Sequence, residues 1–363
     1  MSSARIITAM SNTEWDNEVA QLPIALQDIH LTARYHHLYE ENGNGEARLF
    51  VFQRGSDRYL LPFLIRALPE HLSPKGYFDI ESCYGYTGPV SSTESLDFIR
   101  EAESTFLDYC RRQKVVSEFI RFHPLLSNQR FVSPDSGMQL LHLRDYVAVD
   151  LSINADIRFA QYTPQNRNKI RKAEKAGYSI QYDRSLEKYE EFVRIYLENM
   201  VQLKAARQYY FSPAYFSALR KLVATDGALL LAVNDSGVEG AAVFLGRGKY
   251  AHYFLSSVTP EGRLSGVGNL LLHEGLNWAA DQGFSAMHLG GGISAATDDP
   301  LLVFKQNFSK QMLPFYIGKR ILDQKVYDDV IESWELNLPE AKGKFGAILQ
   351  RYRWSKSDLP ATH

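Results

Sequence analysis

The stretch Val258-Thr-Pro-Glu-Gly-Arg-Leu-Ser-Gly-Val-Gly268 constrains this chain more than any other. It follows a strand-like run, Lys249 to Ser257, and opens into a helix-like run, Asn269 to Asp281. A glycine-bearing loop between a strand and a helix suits an anion. The first N–H groups of the helix point outward, the helix dipole favours negative charge, and glycine lets a ligand approach the main chain. Gly266 and Gly268 would floor such a phosphate cradle, with Arg263, Val267 and Asn269 around it. The plainer alternative is a glycine-rich turn that only begins a helix.

A chain of 363 residues exceeds the usual limit of one core, so two domains are expected. Hydrophobic residues make up 45% and charged residues 23%, the balance of a soluble globular protein. A net charge of −2 exerts no global pull on polyanions, so DNA is not an expected partner and any nucleic-acid contact must be local. The cysteines, Cys83 and Cys110, cannot form a disulfide framework, and no Cys/His group has zinc spacing, so no metal is expected. Met1 to Glu18 lacks the apolar core of a signal peptide, and no run is long enough to span a bilayer. A cytoplasmic location is the expectation. Neither a Gly-x-Ser-x-Gly elbow nor a Gly-x-x-x-x-Gly-Lys-Ser/Thr loop is present, which disfavours hydrolase and NTPase chemistry.

The pattern along the chain predicts an α/β (α+β) protein. In the first half, Ile29 to Glu41 reads as a helix, Arg48 to Gln53 and Tyr59 to Arg66 as a strand pair, and Leu96 to Lys114 as an amphipathic helix. Glu118 to Phe122 and Asp145 to Asp150 are further strands, and the polar segment Ser152 to Thr163 reads as a domain boundary. In the second half, Thr163 caps a helix that Gly177 ends, Leu186 to Ala205 is a long helix, and Pro213 to Ala224 a shorter one. Three antiparallel strands follow, Ala228 to Val233, Val238 to Leu245 and Lys249 to Ser257; after the cradle and its helix comes a strand at Ala286 to Leu289.

Several side chains in these segments suit chemistry. His252 lies on the strand before the cradle and could deprotonate an attacking amine, since imidazole titrates near neutral pH; the alternative is a buried, hydrogen-bonded histidine. His288-Leu-Gly-Gly-Gly292 ends the next strand, and bare backbone at Gly290, Gly291 and Gly292 suggests close approach to a ligand. Asp298 and Asp299 could orient an acceptor or cap the following helix. On that helix, Phe304-Lys305 offers an ammonium either snorkelling to solvent or holding an oxyanion. Arg167 and Arg171 lie on a basic helical stripe that holds phosphates or is simply solvated. Tyr196 and Tyr210 belong to an aromatic cluster that is core or acceptor groove.

Six pieces in order carry a family resemblance: Ser82-Cys-Tyr-Gly-Tyr-Thr-Gly-Pro89, the helix Asn166 to Gly177, Tyr196-Leu-Glu-Asn-Met200 with Tyr209-Tyr-Phe211, the helix Asn269 to Gly283, His288 to Gly292, and Leu302-Val-Phe-Lys-Gln-Asn-Phe308. Together they resemble the FemAB-like branch of the GNAT superfamily, including its BioF2-like acetyltransferase domains. The resemblance implies two tandem GNAT-like domains, each a mixed, mainly antiparallel sheet flanked by helices, at 1–151 and 152–322, with helices at 323–363 folding back on the first. It implies an acyltransferase that moves an acyl group to a primary amine, with Lys305 as oxyanion-stabilising lysine. The implied acceptor is a small-molecule or lipid-linked amine of an envelope polysaccharide or peptidoglycan precursor, with peripheral membrane contact. The Val258 to Gly268 stretch and the absence of excess positive charge favour acyl-CoA (acetyl-CoA) as donor; aminoacyl-tRNA is the alternative. A non-catalytic scaffold in glycan assembly is the reading from another class.

Overall fold

In this computed structural model, which describes residues 2–294 and 296–358, the chain divides into two compact units. One holds the described residues up to Leu26, His30–His142 and those from Phe315 on; the other holds Gln27–Ile29 and Leu143–Pro314.

The first unit begins with β1 (Ser2–Thr8), α1 (Asn12–Ala20) and α2 (Ala33–Glu41). Then come β2 (Glu46–Arg54), β3 (Asp57–Ala67), β4 (Phe78–Glu81), the two-residue β5 (Val90–Ser91), α3 (Leu96–Arg112) and β6 (Val115–Arg121). Ser95 caps α3, whose buried Phe98, Ala102, Phe106 and Cys110 recur every four residues as one apolar stripe. β7 (Gln139–Asp150) carries the chain into the second unit at Leu143. There α4 (Ala155–Gln161), α5 (Pro164–Lys175), β8 (Ser179–Tyr182), α6 (Tyr189–Gln202), α7 (Pro213–Asp226), β9 (Gly227–Asn234), β10 (Gly237–Arg247) and β11 (Tyr250–Val258) follow. The short α8 (Pro260–Ser265), α9 (Val267–Asp281), β12 (Ala286–Gly290) and α10 (Pro300–Gln306) complete it. β13 (Gln311–Ile321) leads back to the first unit, where α11 (Gln324–Asn337) and α12 (Lys342–Phe345) pack Ile331, Trp334 and Phe345 with Leu68, Leu72 and Val116.

The strand orders of the two units share one plan. The first runs β1-β2-β3-β4-β6-β13, with β5 on β3, and is antiparallel except for β4–β6. The second runs β8-β9-β10-β11-β12-β7 and is antiparallel except for β11–β12. A parallel neighbour needs a crossover, which α3 supplies in one unit and α9 in the other. Each sheet is completed by a strand from the far side of the chain's path: β13 follows β12 yet pairs with β6, and β7 follows β6 yet pairs with β12.

Local chemistry explains the second unit's helices. Thr163 accepts from the Asn166 N–H, Pro164 sits at the first helical position of α5, and beyond its end Tyr178 N–H bonds to Ala173 C=O, closing a Schellman turn through Gly177. Helix α9 lies on the sheet where Gly275 meets Phe244; a Cβ there would stand 2.0 Å from the ring. Differences from the sequence expectations are local. β1 and α1 occupy the polar start of the chain, α4 lies inside the segment read as a boundary, and α8 fills most of the stretch read as an open loop. Among the described residues no helix is long and apolar enough to cross a membrane.

Candidate functional site

The strands of the second unit part between β11 and β12. β11 and β12 pair in parallel at Tyr250/Ala286, Ala251/Met287 and His252/His288, and the ladder ends there. Both strands change register at this level. Against β10, Val243 faces Leu255 and Phe244 faces Tyr253, which leaves Phe254 as a bulge; against β7, Leu289 is skipped between His288 and Gly290. A bulge bends its strand and increases the twist, so β11 runs on to Val258 apart from β12. The opening lies at the C-terminal ends of two parallel strands, and β11 leads from it to α8 and the start of α9.

His252 and His288, the last ladder pair, are buried with ring centroids 5.8 Å apart, and the Tyr146 ring is 5.5 Å from that of His288. His252 Nε2 lies 2.8 Å from Oδ2 of the fully buried Asp28. The Gln27–Ile29 segment that brings Asp28 here presses on the β10–β11 turn, where a Cβ on Gly248 would fall 2.4 Å from the Gln27 carbonyl oxygen. A carboxylate accepts from Nε2–H and so fixes the ring; in the neutral imidazole the lone pair then lies on Nδ1.

Beyond β12, Asp299 organises the loop. Its Oδ1 accepts from the N–H groups of Leu301 and Leu302, capping α10, while its Oδ2 accepts from Ile293 N, Ser294 N and Ser294 Oγ. These bonds, led by that from Ser294, hold the carboxyl far below its usual range. Lys305 is buried, and its Nζ donates to the Gly291 carbonyl at 2.7 Å. Burial brings its pKa down to about 7, against the opposing pull of Asp299. The glycine run is explained from within the chain. A Cβ on Gly291 would stand 2.1 Å from the Tyr146 ring, and one on Gly292 would stand 2.4 Å from Asp299 Oδ1. At these two positions the space left by the missing side chain holds the chain's own side chains.

The expected phosphate cradle is also narrower than the sequence suggested. Thr259 caps α8, so most of that stretch is helix rather than open loop. Gly266 is left-handed at φ 86°, its N–H donates to the Arg263 carbonyl at 3.3 Å, and a Cβ there would lie 2.7 Å from the Lys169 carbonyl oxygen. Gly266 therefore lets α5 approach. Asn269 is buried and donates to Asn166 Oδ1 at 2.7 Å, and Arg263 donates to Asn199 Oδ1 at 2.7 Å. Val267 is in the core. What remains is the first turn of α9, which no side chain caps, with Gly268 half-buried and only Val258 Cγ1 near its missing Cβ, at 3.7 Å.

The remaining candidates scatter. Arg167 donates to the Ala160 carbonyl at 2.8 Å and to that of Tyr162, closing the end of α4, so its guanidinium is engaged internally. Arg171 is exposed with its guanidinium 5.7 Å from the Phe159 ring centroid. Tyr196 is buried among the aromatics of α6 and α7 and donates to the Tyr209 carbonyl, and Phe304 packs against the core beside Phe308; both serve packing. Tyr210 is exposed and donates to the Met200 carbonyl. Asp28 and Tyr146 escaped the sequence reading, since no spacing or motif ties either to the segments they meet. A separate cavity of about 670 Å³, lined in part by Tyr182, Arg184, Trp278 and Asp281 at the far end of α9, holds none of the candidates.

Residues 163–298 match the Acetyltransferase (GNAT) domain family. No curated protein matches the sequence. Among solved structures, FemX is similar at 13% identity with a TM-score of 0.68, over 90% of this chain and 99% of that one. The C-terminal domain of a candidate lysylphosphatidylglycerol synthetase from Agrobacterium fabrum is similar at 12% identity and a TM-score of 0.56, over 91% and 97%. A conserved protein of unknown function from Bacteroides thetaiotaomicron VPI-5482 is similar at 10% identity and a TM-score of 0.55, over 88% and 100%. At such identities the likeness is one of fold. Residues 163–298 thus match a GNAT-type acetyltransferase domain, and the chain as a whole shares the fold of FemX.

Proposed function

We propose that this protein is an N-acyltransferase that moves an acyl group from acyl-CoA to a primary amine of an envelope polysaccharide or peptidoglycan precursor. One observation carries the reading: the opening between β11 and β12 beyond His252/His288, which leads to the uncapped first turn of α9. The thioester arm would run along β11, with the diphosphate at the N–H groups of that turn around Gly268. The amine attacks the thioester carbonyl, a C–N bond forms, and the C–S bond breaks to release a thiolate, which becomes the thiol by taking the proton that His252 removes from the amine. His252, held by Asp28, takes the proton of the attacking amine. Lys305, in its ammonium form, offsets the oxyanion charge. The acceptor class rests on the family resemblance alone.

A specific observation favours a second donor. Lys169, Arg171, Lys172 and Lys175 are exposed on α5, and Lys172 Nζ donates to the Leu264 carbonyl of α8 at 2.9 Å, so this basic face flanks the same helix start. Aminoacyl-tRNA would meet that face through its phosphates. Acetyl-CoA should raise the melting temperature of the wild type by linkage, and Gly268→Glu, which places a carboxylate at the uncapped turn, should abolish the shift while the protein stays folded. No wild-type shift, together with a salt-sensitive gel shift by charged tRNA, moves the assignment to the second donor.

A further inference from the structure

Three large aliphatic side chains stand in solvent where they gain nothing from the core: Leu264 on α8 is 79% exposed, and Val201 and Leu203 at the end of α6 are 65% and 53% exposed. They share one end of the second unit. Arg263 of α8 reaches Asn199 of α6 at 2.7 Å, and Asn199 bonds to Ser257 at the end of β11 at 3.3 Å. Lys172 of α5 holds the Leu264 carbonyl at 2.9 Å, and Lys169, Lys172 and Lys204 are exposed there. It is also the end at which β11 leaves β12, so the candidate site opens towards it.

Scattered single aliphatics need no explanation, but protruding aliphatics set among lysines form a pattern with a physical use. Two polyanions could meet the lysines, and the aliphatics decide between them. RNA is recognised through phosphates and base stacking, to which Leu and Val side chains contribute little. An anionic bilayer uses both parts: lysines meet the headgroups while aliphatic side chains enter the acyl boundary. We infer that this end of the second unit docks on an anionic lipid surface through Leu264, Val201 and Leu203 and the lysines around them. A lipid-linked acceptor amine would then enter the opening directly from the bilayer. That last step rests on the proposed acyl transfer; the docking itself does not.

The test is co-sedimentation of the full chain with vesicles of phosphatidylglycerol and phosphatidylcholine, against phosphatidylcholine alone. Expected are binding to the anionic vesicles only, weakening with salt, and a loss of about tenfold or more in affinity for each of Leu264→Glu and Val201→Glu. Both positions are exposed, so the variants should fold, and their acetyl-CoA melting shift should stay at the wild-type value. Absence of wild-type binding to anionic vesicles, or binding indifferent to both variants, overturns the inference. So does a charged-tRNA gel shift that Lys172→Glu abolishes and Leu264→Glu leaves intact. Loss of the acetyl-CoA shift with vesicle binding retained overturns the donor reading and leaves the docking standing.

Discussion

The carboxylate of Asp28 lies 2.8 Å from Nε2 of His252, across 224 positions of sequence, with both side chains almost wholly buried. In the proposed reaction the carboxylate orients the ring through Nε2–H, and the neutral imidazole takes the amine's proton at Nδ1. His252→Ala should lower kcat for acetyl transfer to a test amine by roughly 10²–10⁴-fold, the usual contribution of a positioned base. Asp28→Asn, which keeps shape and removes charge, should lower kcat less and leave KM near the wild-type value. Ring nitrogen NMR should find the proton on Nε2 in the wild type and a mixture of tautomers in Asp28→Asn. Wild-type tautomer and turnover in that variant would reduce the pair to a packing contact.

Much of the second unit could be read from its sequence because its signals are local. Thr163, Pro164 and Gly177 bound α5 by capping chemistry, and β9, β10 and β11 follow from short apolar runs between tight turns. Asp299 as the cap of α10 was readable for the same reason. Contacts set by tertiary approach were not readable. Nothing near Gln27–Ile29 announces that Asp28 meets β11, and nothing in β7 or β13 tells that each pairs with a strand of the other half of the chain. The glycines could not be read from sequence in either sense. A bare backbone position looks the same in sequence whether a ligand or the chain's own atoms fill the space; side chains fill it at Gly291 and Gly292, and the Lys169 carbonyl at Gly266.

That distinction can be tested by stability. An added methyl at Gly292 would lie 2.4 Å from Asp299 Oδ1, and moving Asp299 would loosen the bonds to Ser294 and to the start of α10. Gly292→Ala should destabilise the protein by about 1–3 kcal/mol, in the range of overpacking plus a lost cap. Gly268→Ala, with a single ordinary contact at 3.7 Å, should change stability by less than about 1 kcal/mol. Urea denaturation of both variants reads the contrast, and equal losses would defeat it.

In the first unit, two buried carboxylates share one guanidinium. Arg320 donates to Glu118 Oε2 through Nε at 2.9 Å and Nη2 at 2.6 Å, while its Nη1 is 3.9 Å from Glu103. Burial, against the pull of Arg320, pushes the Glu103 pKa up to about 7. The unfolded chain releases this proton near 4.5 and the folded one near 7, so between those values the native state binds more protons and stability falls as pH rises. The slope is at most about 1.4 kcal/mol per pH unit. Glu103→Gln should flatten the decline in unfolding free energy between pH 5 and 7, and an unchanged slope would assign it to other groups.

Lys305 gives the opposite sign. Its folded pKa of about 7 lies below the unfolded value of 10.5, so between them the unfolded chain holds a proton that the native state has released. Stability contributed at this site therefore rises with pH, by up to about 1.4 kcal/mol per unit, and is flat below the folded value, where both states are charged. Lys305→Met should lack that rise, so wild type should gain on the variant from pH 7 to pH 10 in denaturant unfolding. Activity should move the other way. If the ammonium holds the oxyanion, kcat/KM falls as pH rises through about 7. Lys305→Ala should be slower by roughly 10²–10³-fold and should lose this alkaline limb. A limb that persists in the variant belongs to another group, and Lys305 is then a buried tie to the Gly291 carbonyl and not part of the reaction.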